Sequence, residues 1–92
     1  MPEPYDWTRF NSDCHIFLND LDSLNLTTFR GISSAIEVIT RYTAFLKNIS
    51  PAPEQYEKAY DYNVLDLRAR EIHLRHTMKQ IMPPRLTENP NL

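Results

Sequence analysis

Apolar residues recur along three stretches of the chain with an alternating three- and four-residue spacing. The first line is Trp7, Phe10, Cys14, Phe17, Leu21 and Leu24. The second is Phe29, Ile32, Ile36, Ile39, Thr43 and Leu46, and the third is Tyr60, Val64, Leu67, Glu71, Leu74, Met78 and Ile81. Helical winding gathers each line onto one face, and each face then needs a helical neighbour to cover it. The pattern predicts an all-α fold: a three-helix antiparallel bundle with helices over about 7–24, 28–48 and 53–82. The third and longest helix, roughly 45 Å at about 1.5 Å per residue, is expected to project a turn or two beyond its neighbours.

The breakers agree with these limits. Pro2 and Pro4 precede helix 1, Asp6 is suited to cap it, and residues 1–6 form an N-terminal extension. The polar run from Asp22 to Thr27 makes a turn, and Thr27 can cap helix 2. Gly31, the only glycine, falls near the first turn of that helix, where it costs less than mid-helix and permits close approach of a neighbour. Ser50-Pro51-Ala52-Pro53 breaks the chain again, with Pro53 as the first residue of helix 3 and Glu54 and Glu57 in its opening turns. Pro83-Pro84 stops helix 3 and leaves a polar, proline-containing tail over 83–92, expected to be extended or disordered.

Helix 2 carries a second apolar line, Ala35, Val38, Tyr42, Phe45 and Ile49, and helix 3 adds Tyr56, Leu65 and Ile72. Faces this broad either complete a small core or dock another chain, in the manner of a coiled coil. Tyr60 and Tyr62 cannot face one core, so at least one is expected to be exposed or bound to a partner. Thr43 and Glu71 are polar members of apolar seams. They either fix register or, if helix 3 rotates locally, Ile72 takes the buried place of Glu71.

A formal net charge of −2 gives no general attraction to nucleic acid or an anionic membrane. One cysteine forms no internal disulfide, which fits a reducing compartment. No apolar run is long enough to span a bilayer, and the N-terminus resembles neither a secretory signal nor a mitochondrial presequence.

Charge is polarised along helix 3: the first half carries Glu54, Glu57, Asp61 and Asp66 against Lys58, and the second Arg68, Arg70, Arg75 and Lys79 against Glu71. Arg68, Arg75 and Lys79 could contact a phosphate, but favourable pairs at Asp66–Arg70 and Glu71–Arg75 account for two of the arginines. Arg70 and His76 have an Arg-x5-His spacing that resembles the motif of HEPN-type ribonucleases. The resemblance implies that Arg70 holds the scissile phosphate while His76 transfers a proton. His73 and His76 with Cys14 and His15 are the only arguable metal ligands, but Cys14 falls on a core line, and neither a metal nor a cofactor is expected. Pro53-Glu54, Tyr56, Ala59-Tyr60, Arg68-Ala69 and Ile81-Met82-Pro83 loosely resemble the matrix-side helical subunit 7 of mitochondrial cytochrome bc1. That match leaves residues 1–50 uncovered and fixes no family; it adds a mitochondrial location to the expectation of an intracellular protein.

With no catalytic constellation in view, the sequence points to a small non-catalytic helical subunit or adaptor. It would assemble with itself or with other protein chains, without nucleic acid. The alternative is a HEPN-like ribonuclease or phosphate-binding protein. The expected partner-binding residues are Trp7, Phe10, Tyr56, Tyr60, Val64, Leu67, Leu74, Met78 and Ile81.

Overall fold

Asp6 caps the first helical turn, as expected: its carboxylate accepts hydrogen bonds from the Thr8 amide (3.1 Å) and hydroxyl (2.6 Å), which holds it below the usual carboxylate range. A computed structural model describes residues 4–81. The Pro83-Pro84 stop and the tail over 83–92 lie outside the described residues. Asp6 caps a 3-10 turn, Trp7–Arg9, which runs into helix α1, Phe10–Asp22. Helix α2 is Phe29–Ile49 and helix α3 is Glu57–Ile81, entered through a second 3-10 turn at Glu54–Tyr56. The protein is an all-α three-helix bundle in the expected order, and no strand occurs among the described residues.

The α1–α2 connection is tighter than its composition suggests. Asn25 folds the turn by accepting bonds from the Thr27 amide (3.0 Å) and hydroxyl (2.5 Å). Thr27 is thereby occupied, and the helix cap passes one residue on to Thr28, whose hydroxyl oxygen accepts from the Gly31 amide at 3.0 Å. Gly31 is buried under the returning loop. A Cβ built there would lie 1.7 Å from the Asn25 carbonyl oxygen, so hydrogen is the only side chain that fits.

α2 is the central helix, and this explains its two apolar lines. Ile32, Ala35, Val38, Ile39, Tyr42 and Leu46 are all buried. The Tyr42–Phe45 side meets α1, with Tyr42 stacked on Phe17 at a centroid separation of 4.7 Å, while Leu46 accepts a 2.7 Å bond from Tyr60 of α3. The breadth of α2 is therefore spent on its own chain. On α3 the predicted line is the inward one, with Leu67 and Leu74 buried and Tyr60, Val64 and Met78 packed against the core. Met78 still reaches the core and Ile81 is partly exposed, so the projection of α3 is confined to its last turn.

Three substitutions report on the α1–α2 turn. Gly31→Ala should lower stability by about 1–3 kcal/mol in thermal or denaturant unfolding, because the methyl meets backbone. In an open helix the same change would stabilise by up to about 1 kcal/mol, so the sign decides. Thr28→Ala should cost about 1 kcal/mol through the lost cap, whereas Thr27→Ala leaves the helix cap intact.

Candidate functional surface on helix 3

The nine residues expected to meet a partner divide by exposure. Phe10, Leu67 and Leu74 are 2%, 3% and 4% exposed, and serve the core of their own chain. Trp7, Tyr56, Tyr60, Val64 and Met78 are half-buried against that core, and Ile81 is exposed. Aromatic packing consumes the N-terminal set. Trp7 lies 5.1 Å from Phe10, 5.6 Å from Tyr56 and 5.3 Å from Tyr5, all between ring centroids. Tyr5, assigned by sequence to the N-terminal extension, packs edge-on against Phe45 of α2 and donates to Asp13 at 2.5 Å. These aromatics pin the chain start to the bundle.

Ile16 of α1, Leu26 of the α1–α2 turn and Phe29, the first member of the predicted α2 line, are exposed singly, whereas the exposed apolar side chains on the far side of α3 form a line. Tyr62, Leu65 and Ile72 are 70%, 63% and 65% exposed, with exposed Ala69 between the last two. Their spacing of three, four and three puts them on one line. At 100° per residue this line runs about 160° around the axis from the inward line of Tyr60, Val64, Leu67, Glu71 and Leu74. α3 is therefore apolar on two opposed faces, of which its own chain covers one. Leu65, Ile72 and the exposed member of the tyrosine pair were visible in the sequence, but only the packing decided which of the two lines stayed outside.

The seam interruptions mark a second feature. Thr43 and Glu71 are both half-buried and, with Lys47, Asp61, Val64 and Arg68, line a groove of about 360 Å³ between α2 and α3. Ile72 does not replace Glu71 in the seam; it points outward, and Glu71 accepts a 2.8 Å bond from Arg75. Arg70 likewise holds Asp66 at 2.9 Å. Both predicted ion pairs are present, so two of the cations in the basic half of α3 are already neutralised on their own helix.

Arg70 and His73 line a small pocket of about 140 Å³ with Leu21, Leu26, Ile39 and Leu74. His76 does not line it. Six residues along a continuous helix places His76 about 120° around from Arg70. Cys14 is buried, His15 is exposed, and among the described residues no three His, Cys, Asp or Glu side chains are grouped to hold a metal ion. Among the described residues no helix is long and apolar enough to cross a membrane.

One buried polar cluster joins the three helices. Tyr42, fully buried on α2, donates its hydroxyl to the Asn63 side-chain oxygen on α3 and lies beside the Cys14 thiol of α1. Asn63 is itself held by donating to the Ala59 carbonyl at 2.8 Å. Burial, then the Cys14 and Asp66 neighbours, push the Tyr42 hydroxyl well above its ordinary value, and burial raises the Cys14 thiol. The cluster is internally satisfied, with Asn63 half-buried at its edge, which suits structure rather than chemistry.

Comparison with protein families, curated proteins and solved structures returns no match for this chain.

The buried tyrosine gives stability a defined pH dependence. Its folded pKa lies above the unfolded value of about 10, so its contribution is complete below about pH 10 and is lost as pH rises towards the folded value. Tyr5, also raised by burial and by Asp13, acts in the same direction. Tyr42→Phe should cost about 1–2 kcal/mol at neutral pH and flatten the alkaline fall in denaturant-measured stability. An unchanged alkaline slope in the variant would remove Tyr42 from this account.

Proposed function

We propose that this chain is a small helical assembly module that docks another helix along the outward face of α3. One observation carries the reading: Tyr62, Leu65 and Ile72 form a continuous apolar line that the described residues leave exposed. Scattered exposed apolar side chains are ordinary on a protein surface. Here three large ones share one helical line, opposite the face that packs the core, at the spacing by which one helix seats against another. Ala69 between Leu65 and Ile72 leaves room for a side chain from the docked helix. Aliphatic and aromatic anchors around a small central residue suit a protein partner better than a small polar ligand.

The neighbouring features favour binding over catalysis as the role. The buried Tyr42–Asn63–Cys14 cluster has no open channel of reacting groups, and the arginines nearest the histidines are engaged by carboxylates. The docked helix would extend the bundle by one layer, with α3 at the centre of the enlarged assembly.

The exposed face can be altered without touching the core. The chain recovered from its native source should sediment as a particle larger than one subunit. Leu65→Glu with Ile72→Glu should reduce it to a single subunit while helical circular dichroism and melting stay unchanged. Identical single-subunit sedimentation of both forms would refute this reading.

A further inference from the structure

The charge pattern of α3 identifies what covers its outward face, given the assembly reading above. We infer that the occupant is a second copy of this chain, with the two α3 helices packed antiparallel about a two-fold axis near the level of Leu67.

Three features of the same surface meet the requirements of self-pairing, since a two-fold interface must be complementary to itself. The first is shape. Turning the line Tyr62, Leu65, Ala69, Ile72 end for end sets Leu65 against Ala69 of the second copy and Tyr62 against Ile72, each twice. A large side chain therefore always faces a smaller one across the central layers.

The second is charge. Along one flank of the line, acidic Asp61 lies towards the start of α3 and basic Arg75 towards its end, and both are exposed. The antiparallel arrangement brings Asp61 beside Arg75 of the second copy, which that carboxylate then shares with Glu71 of Arg75's own helix (2.8 Å), again twice. Beyond them it sets Glu54 and Glu57 against Lys79, while exposed Lys58, next along the line from Tyr62, meets His76 of the second copy. A parallel pair in register instead places Asp61 beside Asp66 of the second copy and aligns acidic half with acidic half. Charge selects the orientation.

The third is access. The line lies about 160° from the inward line of α3, so two bundles meet back to back with α1 and α2 of each held away from the contact. At the axis Arg68 meets its own counterpart, a local repulsion that limits affinity and makes the pair salt-sensitive.

Sedimentation equilibrium of the purified recombinant chain, alone and across the micromolar range, tests this. Wild type should associate reversibly to a dimer. Asp61→Arg and Arg75→Asp should each weaken self-association about tenfold, because two attractive pairs become repulsive. An equimolar mixture of these two variants should regain dimerisation, since each copy then supplies the charge the other lacks. Circular dichroism of each variant controls for loss of the Glu71–Arg75 pair. A wild-type chain that stays monomeric, or a mixture that associates no better than either variant alone, overturns the antiparallel self-pair. If the native particle still shrinks on Leu65→Glu with Ile72→Glu, the assembly reading survives and the partner is a different chain.

Discussion

Tyr42 ties the bundle together. It stands at the middle of the central helix, stacks within 11° of parallel on Phe17 of α1, and donates its hydroxyl to Asn63 of α3. A fully buried phenol must find an acceptor, since an orphaned hydroxyl would cost about 1–3 kcal/mol. That need fixes the register of α3 against α2 as firmly as the apolar contacts do. Tyr60 makes the reciprocal reach, from α3 to the Leu46 carbonyl of α2. Two tyrosines, one from each helix, therefore set the sliding position of the longest pair, and the orientation of the outward face of α3 follows from it.

Around this axis the small size of the chain is met by aromatic packing at one end and a close backbone approach at the other. Tyr5, Trp7, Phe10, Tyr56 and Tyr60 fill the end where α1 and α3 begin. Gly31 lets the α1–α2 loop lie on the first turn of α2 at the other end. Each device uses residues that, taken singly, would serve equally well at an interface. This is why aromatic type alone did not separate core from surface: tyrosine and tryptophan are the residues of choice wherever an apolar body must be covered and a polar tip satisfied.

The two polar interruptions acquire a common explanation. Thr43 and Glu71 both line the open groove between α2 and α3 and are half-buried, so neither is forced into a fully buried contact. Glu71 keeps its place on the inward line because Arg75, one turn on, satisfies its charge at the rim. With Glu71 inward, Ile72 is turned out, and the outward line exists as a consequence. Core register and partner surface on α3 are one geometric decision.

The sequence by itself determined the helices, their order, the breaks between them, the apolar lines each carries and the local ion pairs. All of these depend on spacing along the chain, and a helix converts spacing into a face without reference to anything distant. It could not rank the two lines of α3 or divide the aromatics between core and surface, because both lines satisfy the same periodicity. Only the tertiary structure decided that: α2, buried on both sides, offers α3 a single seat, and the Tyr42–Asn63 and Tyr60–Leu46 bonds turn Leu67 and Leu74 towards it. Tyr62, Leu65 and Ile72 are exposed because long-range packing left them no neighbour among the described residues.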